Sequence, residues 1–383
     1  MSNLTHYLCR FCKSKFIKLS TEKTLSCPYC GKDATSYNPS DNSGMPDFLI
    51  PFKVSREDAA KRFSEIAKTV PFLPDEYKTL DAESLLQGFY IPFWLFDGRC
   101  NAKLTYHAQK IHNYRNVRGM PYSYFQSFNV SREGEVDFED IPVDASIQAD
   151  NAYTEALEPY DSSEIVPFSE EYLTDFFAEK ANVSSRDAEN RANERLHRTL
   201  EKDFSEDMAE FENVSRDDAS YGLSHKNTDC NLLPVWMMSI NYKGNLYRYA
   251  VNGQTGKVVG EIPISIKVRN LFFLKAFLLT LIPTVAITFL TFFILNLCGK
   301  TFETPELFIS FILIAVPWLG ALIATASKLY STKKPVPTDY AGRYIDKSSY
   351  KLIKKRNHFL YTEFHALARV KAIERIIDNY FKQ

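Results

Sequence analysis

Four cysteines near the start of the chain are the residues best equipped to do chemistry. They form two Cys-x-x-Cys pairs, Cys9 with Cys12 and Cys27 with Cys30, with fourteen residues between the pairs. A Cys-x-x-Cys turn presents two thiolates from one tight knuckle. Two knuckles joined by roughly ten to twenty residues close a tetrahedral four-sulfur site of the kind that holds zinc. Gly31 follows the second pair and suits the left-handed backbone such a knuckle needs, while Pro28 stiffens it. The alternatives are redox motifs or two disulfides. The spacing matches a ribbon and no secretory signal precedes it, so the expectation is one zinc per chain on Cys9, Cys12, Cys27 and Cys30. Cys100, Cys230 and Cys298 are then unpaired thiols in a reducing compartment. A zinc ribbon usually works as a docking surface, which points to binding before catalysis.

Other chemical patterns fail on inspection. Gly253-Gln254-Thr255-Gly256-Lys257 looks like a phosphate loop, but it has two residues between the glycines and Val258 after the lysine. A Walker loop needs four residues there and a Ser or Thr after the lysine, so turn chemistry is the better account. The chain has no GxSxG, HExxH or dinucleotide fingerprint, and His107 and His112 read as ordinary surface histidines. No catalytic constellation is present, and a non-enzymatic protein is expected. Arg99, Lys103, Lys110, Arg115 and Arg118, interleaved with Tyr106 and Tyr114, form the best candidate nucleic-acid patch. The solvated face of a β-hairpin explains the same residues, and residues 1–270 carry net charge −9, a poor match for a polyanion.

These residues need elements to hold them. Residues 1–38 read as the ribbon and 39–46, rich in Pro, Ser and Gly, as a linker. Residues 47–270 read as a cytosolic α+β domain. Ser55 is an N-cap for a helix with Ala59, Phe63, Ile66 and Val70 on one face. Residues 85–96 read as a strand, with 102–111 a candidate partner. From 183 to 208, Ala188, Ala192, Leu196, Leu200, Phe204 and Met208 recur every four residues, which predicts a long amphipathic helix. Residues 232–242 and 245–251 form a hairpin through Lys243-Gly244.

Residues 276–297 and 307–327 are two uncharged apolar runs, about 33 and 31 Å long as helices. They predict a two-helix transmembrane hairpin over 271–330. Lys267, Arg269 and Lys275 before the first run and Lys328, Lys333 and Lys334 after the second place both termini in the cytoplasm. Neither run contains an ionisable residue, which argues against transport; Thr280, Thr284, Thr288 and Thr291 on one run and Gly320 with Ala324 on the other suit close helix packing. Residues 331–383 hold twelve Lys and Arg against five Asp and Glu. They read as a basic cytosolic helical tail near anionic headgroups, with Leu360, Phe364, Leu367, Val370, Ile373, Ile377 and Tyr380 as its apolar stripe.

The paired Cys-x-x-Cys, YIPFW at 90–94, EPYD at 158–161, LPVW at 233–236 and VNGQTGKVVGEIP at 251–263 together resemble a bacterial family. Its members are membrane-anchored TFIIB-type zinc-ribbon proteins, often labelled primosomal or replication-like. Some relatives are encoded with flotillin-like (SPFH) proteins and phage-shock protein A homologues, which implies a membrane-stress platform. The resemblance covers most of residues 1–330 and has no counterpart for the basic tail. The expected fold class is an α+β multidomain membrane protein. The expected function is a zinc-binding inner-membrane scaffold that recruits cytosolic proteins. A membrane-tethered nucleic-acid-binding protein is the alternative, and oligomers through the spans are expected to be accessible.

Overall fold

The computed structural model describes residues 4–39, 45–115, 121–148, 151–297 and 340–366. The ribbon is built from β1 (Leu4–Cys9), β2 (Lys15–Leu19), β3 (Thr24–Ser26) and β4 (Asp33–Ser36), all antiparallel. After β5 (Phe48–Leu49), Ser55 caps α1 (Arg56–Thr69) by accepting the Asp58 N–H, and the short α2 (Asp75–Lys78) and α3 (Ala82–Leu85) follow. The body then runs through β6 (Gln87–Arg115), β7 (Pro121–Asp144), α4 (Asn151–Leu157), β8 (Val166–Pro167), β9 (Phe177–Ala178) and α5 (Ser185–Glu206). It closes with β10 (Asn213–Tyr242), β11 (Asn245–Asn252), β12 (Val258–Gly260), α6 (Ile266–Leu297) and β13 (Lys351–Ala366).

Every one of these strands belongs to a single hydrogen-bonded network. Its spine is three long antiparallel strands, with β6 between β7 and β10, and β13 added outside β7. The strand expected over 85–96 therefore continues for almost twenty residues. From 100 to 108 its burial alternates: Cys100, Ala102, Leu104, Tyr106 and Ala108 are all buried, while Asn101, Lys103 and their neighbours form the outer row. Gly98 lets the strands cross at a register shift, since a Cβ there would lie 2.4 Å from the Ser224 carbonyl oxygen.

The amphipathic helix expected over 183–208 is α5. Its Ala188, Ala192, Leu196, Leu200 and Phe204 pack on Leu104, Val130, Val136 and Phe138 of the long sheet. A second core forms where α1 and α3 cover Trp236, Met238, Tyr249 and Val251 of the expected hairpin, β10–β11. The ribbon is not a separate bead. Ile17 of β2 pairs with Ala178 of β9, and β9 pairs with β6, so the sheet runs continuously from ribbon to body.

Four expectations need correction. Among the described residues no helix is long and apolar enough to cross a membrane. The first expected span lies within α6, a helix that also includes Lys267, Arg269 and Lys275. The second expected span, 307–327, and the loop before it lie outside the described residues. The two-span transmembrane hairpin, the membrane-protein fold class and the multi-pass cytoplasmic-membrane localisation with inward termini are therefore withdrawn. The helical tail is also corrected. Residues 351–366 are strand β13, paired with β7 from Lys351↔Glu135 to Ala366↔Tyr122. The outer edge of β7 offers a full row of hydrogen bonds, and Phe359, Tyr361, Thr362 and Phe364 are side chains that favour a pleated surface. Leu367, Val370, Ile373, Ile377 and Tyr380 of the expected stripe lie outside the described residues, as do the side chains of Thr280, Thr284, Thr288 and Thr291.

Candidate metal centre

The structure brings Cys9, Cys12, Cys27 and Cys30 together, with all four Sγ atoms within 4.8 Å of one another. The Cys9–Cys30 and Cys12–Cys27 sulfur pairs are each 3.6 Å apart. A tetrahedral ion with metal–sulfur bonds near 2.3 Å requires sulfurs about 3.8 Å apart. The donor set therefore fits a four-coordinate metal ion.

Local backbone makes the geometry. Cys9 ends β1; its carbonyl accepts the Lys13 N–H at 2.9 Å and its own N–H donates to the Ser14 carbonyl at 2.9 Å. The second knuckle repeats this, with Gly31 N–H donating to the Cys27 carbonyl at 2.8 Å and Cys27 N–H to the Lys32 carbonyl at 2.7 Å. Each knuckle turns through one left-handed residue, Lys13 at φ 64° and Gly31 at φ 70°. Gly31 takes this conformation without a Cβ penalty; Lys13 takes it at a cost of order 1 kcal/mol.

Sequence reasoning missed Ser14. It is buried, and its Oγ lies 3.0 Å from Cys12 Sγ and 3.2 Å from Cys27 Sγ. A hydroxyl there can donate to thiolate sulfur, the outer-shell support metal ligands commonly have. Its only signal was a small hydroxyl residue two places after a Cys-x-x-Cys. Burial pushes the Cys27 thiol up to about 11 and the Cys30 thiol up to about 12. Burial also acts on Cys12, but hydrogen bonds from Ser14, Cys30 and Cys9 outweigh it and lower that thiol to about 7. Without a cation, neighbouring thiols ionise one at a time; a bound metal would supply the charge that lets all four do so.

The centre sits firmly on the body. Tyr7 stacks on Phe16, Phe16 meets Phe177 edge-on, and Tyr29 of the second knuckle packs on Phe89. The first knuckle points the other way: Arg10, Phe11, Cys12 and Lys13 are exposed.

Elsewhere the motif residues turn out to be structural. In the 251–257 turn, Asn252 Oδ1 accepts the Gln254 and Thr255 N–H groups, and Gly256 has φ 76°. The same turn grips the EPYD segment, with Asn252 Nδ2 donating to the Leu157 and Pro159 carbonyls and Gln254 bonded to Asp161 and Glu164. Glu158 of that segment forms a buried two-pronged pair with Arg195 of α5, at 2.6 and 3.0 Å, and accepts the Tyr344 hydroxyl at 2.9 Å. In the basic aromatic patch, Arg99 pairs with Glu135 and Asp137, and Lys110 with Glu210. His112 stacks on Tyr124, and the side chains of Tyr114, Arg115 and Arg118 lie outside the described residues.

Comparison with known proteins adds one relative. No family model matches the chain, and no solved structure matches it. The uncharacterized protein YdjG of Bacillus subtilis (strain 168) is 31% identical to it over 220 residues. The match covers 57% of this chain and 64% of that protein, so the chain spans just under two thirds of its relative's length.

Proposed function

We propose that the chain is a non-enzymatic, zinc-binding adaptor whose ribbon presents a docking tip to other proteins. The observation that carries this reading is Phe11. It stands between Cys9 and Cys12 and is 73% exposed, on a knuckle closed by backbone hydrogen bonds. A large aromatic side chain held out by a stiff turn loses little freedom on binding, and aromatic side chains contribute disproportionately to interfaces. Lys32 lies 5.9 Å from the centre of the ring, and Arg10 and Lys13 are exposed beside it. This tip suits a partner with an apolar pocket rimmed by carboxylates.

Zinc is the metal of this proposal because four thiolates on paired Cys-x-x-Cys knuckles are the usual donor set of a structural zinc ribbon, and they leave no open position for a substrate. That favours a structural ion over a catalytic one. The flotillin-like and phage-shock protein A homologues expected from the resemblance are the proposed partners. The nucleic-acid alternative is weakened by the carboxylates that already engage Arg99 and Lys110.

Elemental analysis of protein purified under reducing conditions tests the metal: one zinc per chain is expected, and Cys27→Ser should abolish it. Phe11→Ala should keep the metal and the melting temperature while losing binding to a purified flotillin-like or phage-shock protein A partner. Metal content near zero, or partner binding unchanged by Phe11→Ala, overturns the reading. Steeply salt-dependent DNA binding would favour the alternative instead.

A further inference from the structure

The four sulfurs of the metal centre are not equally reachable. Cys9 and Cys27 are 0% and 1% exposed and Cys30 is half-buried, whereas Cys12 is exposed. We propose, building on the zinc-bound ribbon read above, that Cys12 is an oxidation site for a hydroperoxide. Its oxidation ends in a Cys12–Cys27 disulfide, which releases the metal and changes the docking tip.

A metal-bound cysteine is a thiolate, the form that attacks a peroxide, so access decides which of the four reacts. Cys12 lies in the exposed run 10–13 of the first knuckle, next to the outward ring of Phe11. A resolving partner is already in place. Cys27 Sγ is 3.6 Å from Cys12 Sγ, and the Ser14 hydroxyl touches both sulfurs, at 3.0 Å and 3.2 Å. A disulfide holds its sulfurs about 2.05 Å apart, so the pair has about 1.5 Å to close from 3.6 Å. An exposed thiolate beside a resolving cysteine is the arrangement of redox-sensing cysteines.

The chemistry balances with the hydroperoxide as sole oxidant. The Cys12 sulfur attacks one peroxide oxygen. The S–O bond forms, the O–O bond breaks, and the departing oxygen takes a proton and leaves as water or an alcohol. Cys12 is then a sulfenic acid. The Cys27 thiolate attacks that sulfur. The S–S bond forms, the S–O bond breaks, and hydroxide takes a proton and leaves as water. Two thiolates have lost two electrons and the peroxide has gained them. Cys9 and Cys30 remain, and two sulfurs do not make the closed four-ligand set of a structural zinc site. The new bond joins the first knuckle to the second, so the ribbon stays tied while Phe11, one residue before Cys12, moves with the bridge. A thiol reductant cleaves that bridge by exchange and restores all four ligands.

The test adds hydrogen peroxide to the full chain purified with its zinc. A chromogenic chelator reads metal release, dimedone traps sulfenic acid, and peptide mass spectrometry maps the disulfides. Expected are loss of one zinc per chain for one equivalent of peroxide, dimedone on Cys12 ahead of the other three ligands, and a Cys12–Cys27 bridge. Dithiothreitol followed by zinc should restore the metal, and the far-ultraviolet circular dichroism should hold throughout, which separates oxidation of the site from unfolding. Zinc retained in excess peroxide overturns the proposal. So does a bridge within one knuckle, Cys9–Cys12 or Cys27–Cys30, or dimedone appearing first on a buried cysteine. A purified chain without zinc overturns the metal reading and this proposal together; a chain that holds zinc and resists peroxide overturns this proposal alone.

Discussion

Replacing Glu179 by glutamine should change how stability depends on pH. Glu179 is fully enclosed just after β9; one carboxylate oxygen accepts the Ser146 hydroxyl, and the other has no partner among the described residues. Burial alone pushes its carboxyl from an ordinary 4.5 up to about 8. The folded chain therefore keeps this proton up to about pH 8, while the unfolded chain loses it near 4.5. Between those values the folded state binds more protons, so stability is full below pH 4.5 and falls as pH rises towards 8. Three and a half pH units at ~1.4 kcal/mol each set an upper limit of about 5 kcal/mol, of which about 3 kcal/mol is lost by pH 7. Glutamine imitates the protonated acid and has no charge to bury. Glu179→Gln should thus match the parent near pH 5 and exceed it by about 2–5 kcal/mol above pH 8. Urea unfolding of both proteins at pH 5, 6, 7 and 8 measures the difference, and the subtraction cancels groups common to both, including Asp144 and Glu158. A difference that stays flat across that range would refute the argument.

Other substitutions test the packing. Leu196→Ala, beneath α5 at 0% exposure, should cost about 2–5 kcal/mol in the same unfolding assay, because the long sheet cannot collapse into the space. Gly98→Ala places a methyl group against the Ser224 carbonyl and the Phe138 ring, and should cost about 1–3 kcal/mol and speed amide exchange in the strands around it. Glu158→Gln strands the buried Arg195 charge and should cost about 3–5 kcal/mol. Adding Arg195→Met should recover part of that loss, and a double variant no better than the single one would contradict the assignment.

The residues that announced themselves in the sequence did so through short-range geometry. Paired Cys-x-x-Cys spacing and Gly31 specify two knuckles within a few residues, so the clustering of the four sulfurs was legible. The α5 stripe and the β10–β11 hairpin were legible for the same reason: period and turn chemistry are local. The long sheet was not. Nothing in residues 97–115 says that the partner on one side is the following segment and on the other a segment a hundred residues away. The C-terminal strand was misread because Leu360 and Phe364 sit at helical spacing, while the hydrogen-bonding edge that claims them belongs to β7. The apolar content of 276–297 was read as a span by composition alone, and the charged opening of α6 was treated as a flank when it belongs to the same helix. Ser14, Glu179 and the Glu158–Arg195 pair were invisible because their meaning lies in burial and in distant partners.

The continuity of sheet from ribbon to body sets an order of events during synthesis. The last cysteine of the cluster, Cys30, leaves the ribosome about 150 residues ahead of Phe177 and Ala178, the seat on which the ribbon rests. At roughly 5–20 residues per second that is an interval of about seven to thirty seconds. Throughout it Phe16 lacks Phe177 and Ile17 lacks Ala178, and β1 and β2 have only their own ribbon to pair with. Any ion that stabilises the ribbon does most for it in this interval, when binding and folding of the small unit are one event. Once β9 arrives and pairs with β2, the four-cysteine cluster is backed by the body on one side, while Cys12 stays exposed on the other.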